Sequence, residues 1–368
     1  MKVALRFVLV VVALVLLIQP GSISAQKGKP GQPPPPPDPA IAFSLRTDTA
    51  SPPYNIGSLA VMNADGTNQQ VVLQGSSTAN HCCPKWVPIE WSLSHGGGRH
   101  LVFRSNIGGP GIYVIKLGET TPLKIVSTQR YPASWAAWSP VPLADGYYYI
   151  LFADGPSGGE TDLYAVREDG ANLVNLTERY ALEHPQEYLK VWSESAPSWN
   201  PWGSRFVACV DYPDVSGQSV FGDLFVFDVG FDGLGSLKIT SHTNITLEGP
   251  LANFDPGPAD WGTQHDWIVA SFGTQEAGSA DLWVIDLTGA APPRNITNTP
   301  NLHEGEGNPS WSPDDGRVVF FRMARKDKGP GNVRHALFVV RTDGTGYQQL
   351  TTPATGQDHV APDWRRNP

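Results

Sequence analysis

The sequence predicts an all-β fold, a six-bladed β-propeller made of four-stranded antiparallel blades. Three observations support this prediction: a recurring tryptophan strand, recurring hairpin turns, and two chain ends that each supply part of one blade. With 34 proline, 38 glycine and 12 tryptophan residues, the composition also suits many short strands joined by turns. No long stretch of the sequence has the period of a helix.

The repeat is clearest between Asn308 and Thr351. In this stretch, NPSWSPDDGRVVFF places a tryptophan before turn residues and a short apolar strand. A second strand, ALFVVR, follows, then a hairpin signal at Asp343 and Gly344, and YQQLT closes the unit. These four short strands make one blade. Because a lone blade cannot bury both of its faces, neighbouring blades must cover it.

The tryptophan recurs at intervals of about 50 to 60 residues, which is the spacing of propeller blades. The positions predicted for it are Trp91, Trp138, Trp199, Trp261, Trp311 and Trp364. The first unit, AIAFSLR followed by GSLAVMNADG, has no tryptophan strand, whereas HVAPDWRR has one with nothing after it. We therefore expect the C-terminal strand to complete blade one and to close the ring without a free sheet edge.

The pattern P-x-W-S-P-D-G, an apolar strand, L-[YF]-V, D-G and L-T resembles the repeat of TolB-like β-propellers. It matches best at 309–351 and 197–241, and it covers about residues 40–366. The resemblance implies a six-bladed propeller domain, predicted here over 40–368. TolB carries an N-terminal α/β domain before its propeller, and we expect this chain to be without that domain. A propeller is a scaffold with many uses, so the repeat predicts the fold more sharply than the function.

The N-terminal segment has the features of a secretory signal peptide, predicted over 1–25. Lys2 and Arg6 precede an unbroken apolar run over 7–18, and small residues follow up to Ala25. The run is shorter than the roughly 20 apolar residues that a transmembrane helix needs. We therefore expect an exported protein, periplasmic or secreted, with no membrane span after signal cleavage.

Residues 26–39, QKGKPGQPPPPPDP, form a Pro-rich linker. A proline run adopts the stiff, extended polyproline II conformation, which suits a spacer. The alternative is a docking peptide for a proline-binding module.

The chain is acidic, with a formal net charge of −9. Cleavage of the signal peptide removes two further positive charges. Such a protein binds nucleic acid and anionic membranes poorly. We therefore expect no nucleic-acid partner. We expect a protein or peptide partner instead, and a monomeric propeller.

Three cysteines allow different states in an exported chain. Cys209 lies in RFVACVD, an apolar strand, so we predict a buried free thiol. For Cys82 and Cys83, a vicinal disulfide, two free thiols and an intermolecular link remain alternatives.

The loops that join the outer strand of one blade to the inner strand of the next should gather at one mouth of the channel. Glu194, Glu306 and His359 share one register there, each five residues before a predicted tryptophan. The predicted binding residues at this channel mouth are Glu194, Asp255, Glu306, Asp358 and His359. The candidate metal ligands are His81, His184, His303 and His359. Such groups can steer a basic partner or hold a divalent metal, and a solvated polar mouth is the plainer alternative.

These observations favour a protein-binding or scaffolding module that acts through its channel mouth. The alternative is a metal-dependent propeller enzyme, such as a polysaccharide lyase acting on acidic sugars. We expect no hydrolase domain after the propeller, and no phosphate-binding glycine-rich loop opens a helix in this sequence. We therefore expect binding rather than catalysis, without a cofactor, and keep a divalent metal as the alternative.

Overall fold

A computed structural model describes most of the chain from residue 39 onward. The described residues are 39–48, 55–129, 135–156, 161–185, 190–191, 197–213, 219–246, 248–252, 254–273, 280–299, 305–325 and 333–366. The predicted signal peptide and almost all of the predicted linker lie outside them.

The described part of the chain is built from short strands. Those of the first three blades are β1 (Ile41–Asp48), β2 (Asn55–Met62), β3 (Gln70–Leu73), β4 (His81–Trp86), β5 (His100–Ser105), β6 (Gly111–Lys116), β7 (Leu123–Ser127), β8 (Ala137–Trp138), β9 (Tyr149–Asp154), β10 (Asp162–Arg167) and β11 (Val174–Asn175). The remaining strands are β12 (Lys190–Val191), β13 (Ser198–Trp199), β14 (Arg205–Pro213), β15 (Ser219–Phe231), β16 (Leu237–Asn244), β17 (Asp255–Trp261), β18 (Trp267–Gly273), β19 (Ala280–Asp286), β20 (Arg294–Asn295), β21 (Glu306–Trp311), β22 (Arg317–Arg325), β23 (Val333–Arg341), β24 (Gln348–Gln349) and β25 (Gln357–Trp364).

Among the described residues, two short helices interrupt the strands. They are α1 (Ile89–Ser94), inside blade two, and α2 (Leu176–Glu183), between blades three and four. Asn175 caps the second helix by accepting a hydrogen bond from the backbone N–H of Glu178. Within the described residues, neither helix has the length and apolar character that crossing a membrane requires.

The strands form six antiparallel sheets, which confirms the predicted all-β six-bladed propeller. Blade one has the order β25-β1-β2-β3, and blade two has β4-β5-β6-β7. Blades three, five and six likewise contain four consecutive strands each. In blade four, β12 and β13 both pair with β14 and together take the place of one inner strand.

The ring closes as the sequence predicted. The C-terminal strand β25 pairs antiparallel with β1, with Ile41 opposite Trp364 and Thr47 opposite Gln357. Blade one is therefore made from both ends of the domain. The closure leaves no inner-strand edge at the join for another chain to pair with.

The hydrophobic core lies between neighbouring blades. One cluster joins Val207 and Cys209 of blade four to Ala270 and Phe272 of blade five. Other clusters join blades two and three, and blades one and six. Because each blade buries its faces only against its neighbours, the folding of one blade depends on the next.

The tryptophan predicted for blade two is wrong. Trp86, the last residue of β4, holds the position that ends the inner strand, whereas Trp91 lies in α1 and stacks on His95 at 4.0 Å between ring centroids. The signal for Trp86 was present in the sequence: Pro84 stands two residues before it, as a proline does before three other inner-strand tryptophans.

The three cysteines are buried, and none of them forms a disulfide with another described residue. The thiol of Cys209 lies in β14, 3.2 Å from the carbonyl oxygen of Gly257, which confirms the predicted buried thiol. Cys82 and Cys83 form no disulfide with each other, so two thiols or an intermolecular link remain of the three alternatives. Cys83 has a φ of 60°, at the point where a register shift interrupts β4.

Candidate functional site

The channel has two different ends. We call the end where the inner strands begin the loop end, and it holds His81, Asp255 and Glu306. We call the other the tryptophan end, where the inner strands finish at Trp86, Trp138, Trp199, Trp261, Trp311 and Trp364.

The backbone N–H groups of these six tryptophans point away from their own blades. The residue after each tryptophan donates its N–H to the second strand of the same blade, as Gly262 does to Trp267 at 2.7 Å and Ser139 does to Tyr149 at 2.7 Å. Because successive N–H groups of a strand point to opposite sides, the tryptophan N–H faces the neighbouring blade and the channel.

Four of these N–H groups are bound by a side chain of the preceding blade. Trp86 donates to Asp363 at 2.7 Å, and Trp311 donates to Asp260 at 3.0 Å. Trp261 donates to Ser198 at 3.1 Å, and Trp364 donates to Ser310 at 3.0 Å. Each acceptor directly precedes the tryptophan of its own blade. We call the six positions before the tryptophans the acceptor belt: Lys85, Ala137, Ser198, Asp260, Ser310 and Asp363.

The two carboxylates of the belt are buried and paired with cations. Lys85 Nζ lies 2.9 Å from Asp363, and Arg366 contacts Asp260. Burial alone would lower the pKa of Lys85, but Asp363 and Asp260 outweigh it and the pKa is raised. Lys85 is therefore held in its charged form, because the carboxylates compensate the loss of water.

A cavity of about 420 Å³ opens at the tryptophan end, chiefly between blades two, three and four. Its apolar wall comes from tryptophans, prolines and one tyrosine: Trp86, Trp138, Trp199, Pro88, Pro140, Pro142, Pro197, Pro201 and Tyr148. Its charged lining is Lys85, Glu90, Arg99, Asp260, Asp363, Arg365 and Arg366. A mostly apolar cleft with a few placed polar groups is the usual form of a binding site.

The indole N–H groups do not follow the division of the backbone groups, because Trp199 Nε1 donates to the carbonyl oxygen of Ala137 at 3.1 Å. Trp311 Nε1 donates to the carbonyl of Asp260 at 3.0 Å, and Trp261 Nε1 donates to Asp266 at 3.1 Å. Trp86 Nε1 and Trp138 Nε1 are buried and find no acceptor among the described residues. These two side chains line the cavity, which therefore offers unused hydrogen-bond donors.

At the loop end, Glu306 is buried inside the ring. Its carboxylate lies 3.6 Å from Arg322 Nε, and Tyr347 donates to it at 3.4 Å. Burial, together with the nearby Asp281, raises the pKa of Glu306 to about 7. A carboxyl with this pKa is partly protonated near neutral pH.

The two histidines that share this register are also buried. The ring Nδ1 of His81 lies 2.8 Å from Ser105 Oγ, and the ring of His359 lies against Phe43 at 5.1 Å. Burial lowers the pKa of both histidines to about 4. Both are therefore neutral at physiological pH.

The other loop-end residues occupy separate surroundings. Asp358 accepts a hydrogen bond from the backbone of His335 at 2.9 Å, and burial raises the pKa of Asp255. His184 ends α2 and stacks on Tyr180 at 4.0 Å. Glu194 and His303 lie outside the described residues.

Among the described residues, no group of three or more His, Cys, Asp or Glu side chains could hold a metal ion. The metal site predicted from His81, His184, His303 and His359 stays a prediction, because His303 lies outside these residues.

The comparisons with known proteins support the fold. No family model and no curated protein sequence matches the chain. TolB from Acinetobacter baumannii is similar in structure, with a TM-score of 0.61 and 18% identity over 89% of this chain, which spans 66% of that protein. A putative TolB from Agrobacterium tumefaciens has a TM-score of 0.50 and 15% identity, covering 89% of this chain and 99% of that one.

Another similar structure is the nidogen/laminin complex, with a TM-score of 0.51 at 7% identity, covering 88% of this chain and 97% of that one. Identities this low establish the fold alone. The resemblance to TolB-like repeats is confirmed at that level: the chain has the six-bladed propeller fold of the TolB structures.

Proposed function

We propose that this protein is an exported binding module that holds a segment of a protein partner at the tryptophan end of its channel. The cavity of about 420 Å³ carries the proposal, because it combines three tryptophans and a tyrosine with arginines in one concave site. Tryptophan, tyrosine and arginine are the residues that contribute most to protein–protein binding. The TolB-like fold supports the proposal by analogy.

A photo-crosslinking amino acid at Tyr148 tests this function. Tyr148 lines the cavity, whereas Leu234 is 93% exposed in a hairpin turn of blade four and serves as the control position. Both variants are produced in the native host, irradiated, and analysed by mass spectrometry. We expect one defined partner crosslinked through position 148 and not through position 234.

A cavity-filling change makes the test specific. Ala137 lines the cavity, so Ala137→Trp should block the site and abolish the crosslink from position 148. A crosslink that survives this change, or that appears equally from position 234, would contradict binding in the cavity.

Binding at the loop end is the competing location. The predicted residues there include Asp255 and Asp358, whose carboxylates would steer a basic partner. Such steering weakens as ionic strength rises beyond physiological salt, where the screening length is about 8 Å. Crosslinks obtained only from position 358, and lost at high salt, would move the site to the loop end.

Export is the second part of the proposal. The predicted signal peptide implies a mature chain that begins within a few residues of Gln26. Intact-mass measurement of the protein from its native host gives the mature N-terminus. A mass that retains residues 1–20 would instead favour a membrane anchor.

A metal-dependent enzyme is the alternative function. Elemental analysis of the purified protein separates the two functions directly. Stoichiometric metal in the wild-type protein, lost in Glu306→Gln combined with His359→Ala, would favour the enzyme.

A further inference from the structure

The acceptor belt is incomplete at two of the six junctions between blades. By the pattern of the other junctions, Lys85, which precedes Trp86, should accept the backbone N–H of Trp138. Ala137, which precedes Trp138, should accept the backbone N–H of Trp199. A lysine ammonium has only donors, and an alanine side chain has no polar atom. Among the described residues, no side chain accepts the backbone N–H of Trp138 or Trp199, although both point toward the channel.

Both gaps border the cavity. Lys85, Ala137, Trp138 and Trp199 all line it. The unpartnered indole nitrogens of Trp86 and Trp138 belong to side chains that are more than nine-tenths buried and that line the same cavity. Backbone and side-chain donors without an acceptor among the described residues thus meet in one cavity, and a buried donor of this kind destabilises the protein until an acceptor binds it.

We infer that the cavity binds a carboxylate side chain of the partner segment, whose oxygens supply the acceptors that Lys85 and Ala137 lack. This inference rests on the proposed function and specifies the chemistry of the partner: an acidic peptide segment.

The filled positions of the belt show why the missing acceptor is a carboxylate. Two of the four filled positions are aspartates, and each aspartate serves a tryptophan N–H and a cation together. A carboxylate has two oxygens and can bind several donors at once, which a single carbonyl or hydroxyl does less well.

The charge of the cavity favours the same ligand. The whole chain has a net charge of −9. In contrast, the cavity is lined by more cationic than anionic side chains: Lys85, Arg99, Arg365 and Arg366 against Glu90, Asp260 and Asp363. The two aspartates already accept hydrogen bonds from the belt. An entering carboxylate therefore meets a locally positive site with donors in place.

A peptide selection tests the inference. A display library of random linear peptides of about 12 residues is selected on the wild-type protein and counter-selected on Ala137→Asp. This change places a carboxylate in the belt, as Asp260 and Asp363 already do. We expect the enriched peptides to share an Asp or Glu at one position.

The affinity of one enriched peptide is then measured with its acidic residue intact and with that residue changed to the amide. We expect the amide to bind about 10- to 100-fold more weakly, because a hydrogen bond to a charged group is lost. Ala137→Asn is the matched control for Ala137→Asp, with the same size and no charge. Ala137→Asp should therefore reject the acidic peptide more strongly than Ala137→Asn does.

Arg99→Gln is a second variant that keeps the test decisive if Ala137→Asp unfolds. It removes one cation that lines the cavity, so we expect weaker binding of the acidic peptide and little change for its amide form. A melting temperature close to that of the wild type shows that the fold is intact.

The outcomes separate the inference from the proposed function. If the acid and its amide bind within about twofold of one another, yet peptides block the crosslink from position 148, the carboxylate is wrong and the binding module stands. If the enriched peptides bind Ala137→Asp as well as wild type, the gap is not their site. If no peptide is enriched on the wild-type protein, the inference and the peptide-binding function both fail.

Discussion

The two sides of the ring differ at the tryptophan end, although the same repeat builds both. We call the side that carries Trp86, Trp261, Trp311 and Trp364 the closed side, and the side that carries Trp138 and Trp199 the open side. On the closed side, the tryptophans end β4, β17, β21 and β25, which have six to eight residues, and each tryptophan backbone N–H has a side-chain acceptor. On the open side, Trp138 and Trp199 end β8 and β13, which have two residues each. Both open-side tryptophans line the cavity, together with Trp86 of the closed side.

This difference shows how one repeat position serves two purposes. Where the residue before the tryptophan is Asp or Ser, it ties a blade to the next and stabilises the ring. Where it is Lys or Ala, the donors remain unused and a cavity forms beside them. Binding sites commonly give up local stability in this way.

Removing the tryptophan that closes the ring should have the largest effect. Trp364 is 2% exposed, and its ring lies 4.8 Å from the guanidinium of Arg317. We expect Trp364→Ala to lower the free energy of unfolding by about 3–5 kcal/mol, in one cooperative transition in a urea titration. Trp202 is 60% exposed, so Trp202→Ala is the control and should change it by less than about 0.5 kcal/mol. Equal effects of the two changes would contradict closure.

Removing a charged side chain from the acceptor belt should have the next largest effect on the free energy of unfolding. Asp260 accepts hydrogen bonds from Ser198 at 2.8 Å and from Trp311 at 3.0 Å, and it contacts Arg366. Asp260→Ala leaves these donors without an acceptor, so we expect a loss of about 3 kcal/mol in the free energy of unfolding. Asp260→Asn keeps one acceptor oxygen and should lose clearly less. If Ala and Asn cost the same in a denaturant titration, Asp260 is not acting as a belt acceptor.

The closed side should also carry a pH dependence. The pKa of His359 falls from 6.5 to about 4 on folding, so between these pH values the unfolded chain binds more protons than the folded one. The free energy of unfolding therefore falls as pH drops through this window, by up to about 1.4 kcal/mol per pH unit for each such histidine.

His81 has the same shift, whereas Glu306 acts in the opposite direction. Its pKa rises from 4.5 to about 7, so it lowers stability as pH rises through that range. The difference between wild type and His359→Phe isolates the histidine. We expect the variant to lose less stability than wild type between pH 6.5 and 4. Parallel pH profiles of the two proteins would show that His359 does not titrate in this way.

We expect the smallest effects on the free energy of unfolding from single belt changes that give each side of the ring the other side's kind of residue. Ser310→Ala removes the acceptor of Trp364 and opens a closed junction, so we expect a loss of about 1–2 kcal/mol. Ala137→Ser adds an acceptor beside Trp199, so we expect a gain of about 0.5–1 kcal/mol. The two variants are measured together by urea unfolding. Losses of equal size in both would mean that the belt does not distinguish the two sides.

The sequence predicted the blades because their signals are local. A tryptophan before S-P-D-G and a hairpin at D-G indicate a strand, a turn and a second strand within a few residues. The C-terminal tryptophan strand has no later strands to pair with, and this predicted its pairing with β1. Trp86 was missed because the residues after it, V-P-I-E, carry no S-P-D-G turn, and the helix α1 follows instead. The pattern x-P-x-W was the better signal for the tryptophan that ends the inner strand.

The candidate site was less accessible to sequence reasoning. Glu306 and His359 share a register with His81, as their spacing from the tryptophans shows, but burial in the ring depends on neighbours that are distant in the sequence. The belt depends on pairs such as Trp86 with Asp363, whose residues are 277 positions apart. Only the closed ring brings such residues together, so the spacing within one repeat could not reveal the two gaps.

Backbone hydrogen exchange of the six tryptophans tests the central claim most directly. Selective ¹⁵N labelling of tryptophan allows each N–H to be followed by NMR in the unmodified, ligand-free protein. We expect the N–H groups of Trp86, Trp261, Trp311 and Trp364 to exchange at least about 100-fold more slowly than those of Trp138 and Trp199, because only the first four have belt acceptors. Equal protection of all six would contradict the division of the ring into a closed and an open side.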